Sequence, residues 1–272
     1  MGKLKFTLEK EKETLIVPLV CKARESLKDR PILSDLNAVR LIESIDYNFS
    51  SLKIPKKTQV TLCIRAKQFD EYARNFLDAC PFGTVIHLGC GLDTRYLRVN
   101  NGKMEWYDLD YPEVIAFRRQ FNDETDQYHL IPSSVMDFQW MDALAGKTGP
   151  VLIFAEGLFM YLHEKEVKSL LLRLQQAFPG CILVFDCFST RAVKRMAGHP
   201  SIRKTGAEIF WGIDNARDIE QWHGGICLLE EWFFSRSDEI RKLDPGYKII
   251  FKIAGMFSLA KKAHRILAFR LQ

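Results

Sequence analysis

The sequence predicts a doubly wound α/β fold, in which a mainly parallel β-sheet carries helices on both faces. From residue 84 onward, short β-branched and apolar segments alternate with amphipathic helical patterns, as such a sheet requires. The first of these segments, residues 84–89, runs directly into Gly89-Cys90-Gly91. A buried strand that ends in two closely spaced glycines is typical of a ligand crevice at the carboxyl edge of a parallel sheet.

Residues 1–79 precede the first predicted core strand and are predicted to be mostly helical. Ser34 comes just before one amphipathic pattern, and a second pattern of 3.6-residue period covers residues 69–77. A proline and a glycine at 81–83 then interrupt the chain before the sheet begins.

The alternating region supplies the parallel part of the predicted sheet. Pro112 suits the first turn of a helix, and an amphipathic helix over residues 164–178 is stopped by Pro179-Gly180. The parallel strands are predicted at residues 84–89, 104–109, 128–131, 151–155 and 181–186.

The last third of the chain is less regular. Residues 189–225 are polar and basic, with a plausible helix at 214–222, and residues 248–253 form a further strand or part of a connection. Late strands at 227–234 and 264–271 are expected to pair as a hairpin. We therefore expect one domain over residues 1–272: a core of 80–188 and 226–272, with the helices of 1–79 and the insertion 189–225 acting as a cap or lid.

Composition narrows the function classes. Seven cysteines stand without CxxC spacing, which indicates reduced thiols in a cytoplasmic protein and neither a disulfide framework nor a metal site. A net charge of +5 with dispersed lysines and arginines does not indicate a nucleic-acid partner. The apolar runs are of strand length, far below the roughly 18 residues of a membrane helix, and the charged N-terminal stretch does not resemble a secretory signal.

The glycine loop and a later acidic residue are the features that indicate a ligand-binding site. Asp110 follows Gly91 by nineteen positions and ends a strand-like segment, where its carboxylate could bind ribose hydroxyls. Asp108 is the second choice, and a simple tight turn is the structural alternative. Because Thr94 stands where a dinucleotide fingerprint has its third glycine, the pattern favours a nucleoside cofactor without pyrophosphate, namely S-adenosylmethionine, over NAD.

Three blocks in order, GCGLDTRYLR (89–98), WYDLDYPEVI (106–115) and AEGLFMYL (155–162), resemble the leucine carboxyl methyltransferase family. That family includes bacterial polyketide O-methyltransferases of the tetracenomycin type. CKARES (21–26) and RAKQFDEYARNFL (65–77) also fit, so that the resemblance covers residues 18–187. It implies a Rossmann-like class I methyltransferase sheet with an antiparallel C-terminal edge, which converts S-adenosylmethionine to S-adenosylhomocysteine.

The resemblance also implies roles for individual residues. Arg65 would bind the carboxylate of the cofactor tail, Lys22 would be a second basic contact, and Glu156 would face the tail amino group. Asp137 and Phe138 would hold the adenine. Surface charge is the structural alternative for Arg65 and Lys22, and stabilisation of a helix N-terminus is the alternative for Glu156. Asp93 and Arg95 are expected to brace the glycine loop, whose Gly89 and Gly91 approach the cofactor.

The acceptor half of the site is less defined. Tyr161 is the preferred hydroxyl donor and His163 the best-placed histidine, whereas His87 and His264 read as structural. Phe210, Trp211 and several basic residues of the insertion suit a small aromatic or acidic acceptor, or else a surface loop packed on the core. No base is obvious, which favours methylation of a carboxylate over a hydroxyl.

We therefore expect an O-methyltransferase that acts on a small polyketide-like metabolite. A non-catalytic cofactor sensor, a methyltransferase of protein C-termini and an NAD-dependent oxidoreductase are the alternatives. The oligomeric state is not indicated.

Overall fold

The computed structural model describes residues 4–5, 13–147, 149–197 and 208–272. Its centre is a seven-stranded sheet of order β5-β4-β3-β6-β7-β9-β8, beside which β1 and β2 form a separate parallel pair. The strands are β1 Leu4–Lys5, β2 Ile45–Asp46, β3 Thr84–Leu88, β4 Glu105–Asp110, β5 Tyr128–Pro132, β6 Val151–Ala155, β7 Cys181–Phe188, β8 Ile226–Phe233 and β9 His264–Leu271.

The helices cover both faces of the large sheet, and every residue of β3 and β6 is consequently buried. They are α1 Glu13–Ser26, α2 Leu36–Ser44, α3 Lys56–Ala79, α4 Arg95–Val99, α5 Pro112–Arg118, α6 Gln139–Ala143, α7 Glu164–Ala177, α8 Thr190–Ala197, α9 Pro245–Met256 and α10 Ser258–Lys261. In the described part of the chain, no helix is both long and apolar enough to cross a bilayer.

The predicted fold class is confirmed. Strands β3 to β7 are parallel, and β9 runs antiparallel to both β7 and β8, which gives the expected reversed edge. The predicted bounds of β6 and β9 match those observed, and the other five strands of this sheet differ from their predictions by one or two residues at an end.

The N-terminal helices lie near the carboxyl edge of the sheet. Asp35 caps α2, because its Oδ1 accepts the N–H of Ala38 at 3.0 Å. Leu92 of the glycine loop joins the apolar cluster of α1 and α2. Helix α3 packs on the sheet itself. The rings of Phe69 and Phe154 make an edge-to-face contact there, with their centroids 5.5 Å apart.

Of the two interpretations of residues 248–253, the second is confirmed, because they belong to the connection between β8 and β9. They lie in the helix α9, which Asp244 precedes and Pro245 begins, and form no strand. One local prediction was wrong. Instead of an α-helix at 214–222, a 3₁₀ turn spans Ala216–Gln221, and the side chain of Asn215 caps it by accepting the N–H of Arg217. The insertion 189–225 also begins with the helix α8, while its residues 198–207 lie outside the described residues.

Candidate active site

The glycine loop follows β3 and adopts a backbone that only glycine accepts readily. Gly89 and Gly91 have φ values of 63° and 51°. The N–H of Gly91 donates to Oδ2 of Asp110 at 2.7 Å, and the carbonyl of Gly91 accepts Nη1 of Arg118 at 2.8 Å. The loop and the end of β4 are thus joined directly, through the two positions that the sequence singled out.

Asp110 and Asp108 occupy different environments. Asp110 is 8% exposed, and its Oδ1 accepts the N–H of Tyr111 at 2.7 Å. Burial raises the pKa of Asp110 above its ordinary value, although these two N–H groups stabilise the carboxylate. Asp108 is held inside the protein by Arg118, by the hydroxyl of Tyr128 at 2.7 Å and by Nε1 of Trp106 at 2.8 Å. Its partners make Asp108 a structural residue, which leaves Asp110 as the ligand candidate.

A second charged group lies at the same edge, after β6 and near the end of β7. Nε of Arg65, from α3, donates to Oε1 of Glu156 at 2.9 Å, and its Nη1 donates to Oδ2 of Asp186 at 2.9 Å. Burial alone would raise the pKa of Asp186, but Arg65, His264 and the N–H of Gly157 together lower it below its ordinary range. Asp186 is therefore an ionised acceptor at the centre of this group.

Charged residues also surround the glycine loop from α1 and α4. Nζ of Lys22 bonds to Oδ1 of Asp93, and Nη1 of Arg95 lies 2.7 Å from Oδ2 of the same carboxylate. Arg95 also reaches Glu156 through Nη2. Lys22, Asp93 and Arg95 thus connect the loop to the Arg65–Glu156 pair in one continuous set of ionic contacts.

Asp137 and Phe138 follow β5, next to the end of β4. Ser133 of the same loop donates its N–H to the carbonyl of Asp110 at 2.9 Å. Asp137 is exposed, and its Oδ1 accepts the N–H of Gln139 at 3.3 Å. Phe138 is half-buried, with the Arg173 guanidinium 5.5 Å from its ring centroid. The loop that carries the pair is therefore joined to the end of β4 at Asp110.

The two acceptor-side candidates differ in position. Tyr161 ends a 3₁₀ turn, and burial raises the pKa of its hydroxyl, with Arg65 and Asp186 as the charges that act on it. Tyr161 is therefore a phenol at neutral pH, able to donate a hydrogen bond. His163 is exposed at the start of α7, where its backbone N–H donates to Oε2 of Glu166 at 2.7 Å. The centroid of its ring lies 4.2 Å from that of Phe210.

Sequence reasoning missed two residues of this group, Asp186 and His264. Nε2 of His264 lies 2.7 Å from Oδ2 of Asp186, although the two are 78 positions apart. The position of Asp186 near the end of a predicted strand was an available signal. For His264 there was none, because its place depends on the antiparallel register that sets it opposite Phe188. In the described residues no cluster of His, Cys, Asp and Glu could hold a metal ion.

The reversed strand β9 and the ligand edge beyond β3, β4 and β6 are the features of a class I methyltransferase. A sequence profile described as leucine carboxyl methyltransferase matches residues 16–175. The chain belongs to this family and is an enzyme that uses S-adenosylmethionine, which rules out the NAD alternative.

Two relatives match over most of the chain. The tetracenomycin polyketide synthesis O-methyltransferase TcmP of Streptomyces glaucescens is 34% identical, over 94% of this chain and 95% of that protein. The S-adenosyl-L-methionine-dependent methyltransferase dpfgK of Gibberella zeae is 30% identical, over 86% of this chain and 85% of that protein.

Two solved structures share the fold at low identity. A Thermobifida fusca protein assigned as a methyltransferase superposes with a TM-score of 0.59 at 16% identity, and the match covers 94% of each chain. A Streptomyces avermitilis protein of the DUF574 family gives the same TM-score at 11% identity, covering 97% of this chain and all of that one.

Proposed function

We propose that this enzyme methylates an oxygen atom of a small acidic or aromatic, polyketide-like metabolite. The observation that carries the proposal is the meeting of two groups at one sheet edge, Asp110 with Gly91 and Arg65 with Glu156. The relationship to TcmP, whose name describes polyketide synthesis, supports an oxygen acceptor of this chemical class.

The residues at the edge fit S-adenosylmethionine chemically. Each oxygen of Asp110 accepts one backbone N–H and retains a lone pair that could take a ribose hydroxyl. The Arg65 guanidinium suits the tail carboxylate, and Glu156 suits the tail ammonium. At Gly89 a Cβ would lie 3.0 Å from Cδ1 of Leu158, which is closer than ordinary van der Waals contact.

Lys22, Asp93 and Gly91 would then hold the loop in its shape, and Asp137 with Phe138 would contact the adenine beyond β5. The bound cofactor supplies a methyl carbon that its sulfonium already activates. The chain's part is to orient the acceptor and to exclude water. Tyr161 would donate a hydrogen bond to the acceptor, while the exposed His163 has its ring against that of Phe210.

The described part of the insertion supports the role of a cap within a single domain. Phe210 donates its N–H to the carbonyl of Met160 at 2.8 Å, and Ile213 donates its N–H to that of Phe188 at 2.8 Å. Residues 208–213 therefore cross the carboxyl edge between the turn after β6 and the end of β7. We propose that this segment covers the acceptor.

Because the curated relatives are methyltransferases, the cofactor sensor without turnover is set aside. One alternative within the family remains as a proposal of second rank, a methyltransferase of protein C-termini. The small aromatic-lined cap favours a metabolite over a protein terminus. All seven cysteines are free thiols, which is typical of a reducing compartment, and we propose a cytoplasmic location.

Calorimetric titration with S-adenosylhomocysteine tests the proposal. We expect dissociation constants in the micromolar range and a sharp weakening in Asp110→Ala, whereas the exposed Asp123→Asn should bind as the wild type does. Absence of binding to the wild type would contradict the proposal. Binding without methylation of any acid or phenol in a mass-spectrometric screen would contradict the proposed class of acceptor.

A further inference from the structure

The connection between β8 and β9 carries a row of apolar side chains that face solvent. Its main helix, α9, packs on the protein through one side, where Phe251 is buried and a Cβ at Gly255 would lie 3.0 Å from Cβ of Ser235. Helical residues two positions away from such a buried residue lie on the opposite side of the helix. Six large apolar residues on that opposite side and just after it form the α9–α10 face, with exposed fractions of 49% to 74%: Ile249, Ile250, Ile253, Met256, Phe257 and Leu259.

The packing of the fold does not explain the α9–α10 face. A helix on the surface of a globular protein usually presents one apolar stripe to the core and polar residues to water. Single exposed apolar residues are common, whereas a contiguous exposed row marks a surface that binds another body. The α9–α10 face therefore has the character of a docking surface.

The charge of this segment narrows the choice of what binds there. Residues 245–263 include four lysines and no acidic residue. Lys248 and Lys252 are exposed, lie one turn apart beside the apolar row, and form no ion pair with a carboxylate of the described ranges. A helix that combines an exposed apolar row with lysines along its flank is typical of proteins that lie on anionic lipid.

A second basic helix adjoins the end of the connection. The N–H of Ser189, just before α8, donates to the carbonyl of Ala263, just after α10, at 3.2 Å. Three basic side chains of α8 are exposed: Arg191, Lys194 and Arg195. Cations therefore lie near the end of the connection as well as along α9, and they add to the attraction for a negatively charged surface.

The connection starts and ends at the carboxyl edge of the parallel strands. β8 ends at Phe233, opposite Arg265, and β9 begins at His264, opposite the end of β7 at Phe188. The candidate active site lies at the same edge of the sheet. The α9–α10 face therefore belongs to the part of the molecule that joins the sheet at its ligand edge.

A second copy of the chain or a protein partner fits this face less well. In a two-fold dimer the face would meet itself, which would bring Lys248 and Lys252 near the same lysines of the other copy. Binding hot spots between proteins are rich in tryptophan, tyrosine and arginine, and lysine is depleted there. Residues 245–263 contain no tryptophan or arginine, and their one tyrosine, Tyr247, lies on the packed side of α9.

We propose that the α9–α10 face docks this enzyme on an anionic lipid surface. The apolar side chains enter the boundary between headgroups and acyl chains, and the lysine ammonium groups stay at the level of the anionic headgroups. The attachment is peripheral and reversible, and it requires no segment that crosses the bilayer. It goes beyond the proposed methyl transfer and does not depend on the identity of the acceptor.

Cosedimentation with lipid vesicles tests the proposal. The wild type should bind vesicles of equal parts phosphatidylglycerol and phosphatidylcholine, and should bind vesicles of pure phosphatidylcholine far more weakly. Added potassium chloride should weaken the binding, because salt screens the attraction between lysine and headgroup. Absence of binding to the mixed vesicles would overturn the proposal and would leave an acidic protein as the partner of this face.

A paired lysine substitution measures the contribution of charge. Lys248→Gln/Lys252→Gln should bind the mixed vesicles about 30-fold more weakly, since each lysine near an anionic surface contributes about fivefold to the affinity. The matched control Lys165→Gln/Lys168→Gln removes the same charge from exposed positions of α7 and should bind as the wild type does. Equal weakening in the two pairs would show that only net charge matters, which would contradict docking through α9.

A paired isoleucine substitution tests the apolar row. Ile249→Gln/Ile253→Gln should weaken binding to the mixed vesicles roughly 10- to 100-fold. Phe82→Gln is the control, because Phe82 is 77% exposed just before β3, at the opposite edge of the sheet, and this variant should bind normally. Unchanged vesicle binding in the isoleucine variant would overturn the proposal.

Two further measurements separate docking from other causes. The unfolding free energy in urea and the affinity for S-adenosylhomocysteine should be the same in every variant as in the wild type. A failure of the wild type to bind S-adenosylhomocysteine would contradict the proposed function and not the docking surface. In sedimentation velocity, a wild-type dimer that Ile249→Gln/Ile253→Gln dissociates would overturn the proposal in favour of an interface between two copies.

Discussion

Nε of Arg65 and Oε1 of Glu156 lie 2.9 Å apart, although the two residues are separated by 91 positions in the chain. The pair joins the helix α3 to the turn that follows β6. Each side chain is about nine-tenths buried, and each carries the charge opposite to that of one end of an amino-acid tail. An incoming zwitterion can therefore exchange with this contact, because its carboxylate replaces Glu156 at the arginine while its ammonium replaces the arginine at Glu156.

This exchange predicts the behaviour of Glu156→Gln. The amide keeps the shape of the side chain but loses the charge that would face the tail ammonium. A hydrogen bond to a charged group is worth about 1.5–3 kcal/mol, so the dissociation constant of S-adenosylhomocysteine should rise roughly 10- to 150-fold in calorimetry.

Adenosine, which lacks the tail, provides the control for that variant. Its affinity should be the same in Glu156→Gln and in wild type, and Glu164→Gln, exposed at the start of α7, should bind both ligands normally. An equal loss of adenosine and S-adenosylhomocysteine binding would mean that the substitution disturbs the whole site and that Glu156 does not contact the tail.

A substitution at Gly157 is expected to affect both the stability of the protein and the position of Arg65. The φ of Gly157 is 66°, and a Cβ there would lie 3.1 Å from Nη2 of Arg65. Gly157→Ala should lose roughly 1–2 kcal/mol of unfolding free energy from the left-handed backbone alone, and should also displace the guanidinium. We expect weaker S-adenosylhomocysteine binding as a result.

Gly102→Ala measures the first part of that effect, the backbone cost, by itself. Gly102 has a similar φ of 72°, yet nothing lies within 4 Å of its added Cβ. Both variants should show the same backbone cost in urea unfolding, whereas only Gly157→Ala should lose affinity for the cofactor product. Normal affinity in Gly157→Ala would show that the position of Arg65 does not matter for binding.

The sequence predicted the fold well because each core element carries a local signal. Segments such as 151–155 are uniformly apolar and bounded by turn residues, so their ends can be read directly. The apolar run at 248–253 is ambiguous, because a short β-branched segment can belong to either a strand or a helix. Here the sequence Asp244-Pro245 begins a helix, although it equally fits a turn.

The residues of the site also differ in how far the sequence could predict them. Gly91 and Asp110 could be found because the rule that ligands bind beyond the carboxyl ends of parallel strands applies to residues next to a strand end. The pairing of His264 with Asp186 depends on the register of an antiparallel strand pair, which local patterns do not encode. Arg65 and Glu156 were found only through the family resemblance, and their ion pair across 91 positions was not predicted.

Substitution of Asp70 is expected to lower the unfolding free energy substantially. Its carboxylate is fully buried and accepts Nε of Arg95 at 2.8 Å and Nε of Arg98 at 2.8 Å. Asp70→Asn leaves two buried cations short of their counter-charge, and we expect a loss of about 3–5 kcal/mol in urea unfolding. Asp238→Asn removes an ion pair of which both side chains are 85% exposed, and should cost less than about 1 kcal/mol. Similar losses in the two variants would contradict the importance of the buried network.

The same buried carboxylates predict instability in acid. Burial alone would raise the pKa values of Asp70 and Asp186, but their arginine partners lower both below the ordinary value of about 3.9. The unfolded chain therefore binds more protons than the native protein as the pH falls through this range. The stabilisation from these two residues is complete above the unfolded pKa and is lost as the pH falls toward their native values.

The contribution of Asp110 to the unfolding free energy changes with pH in the opposite direction, because burial raises the pKa of its carboxyl group. That contribution is lost as the pH rises through the pKa of Asp110 in the native protein. Asp70 and Asp186 outnumber it, so the unfolding free energy from urea titrations should fall steeply between about pH 5 and pH 3. The decline should be shallower in Asp70→Asn, which lacks one of the lowered groups, and unchanged in Asp238→Asn. A constant unfolding free energy over this range would show that the buried ion pairs do not carry the charges assigned to them.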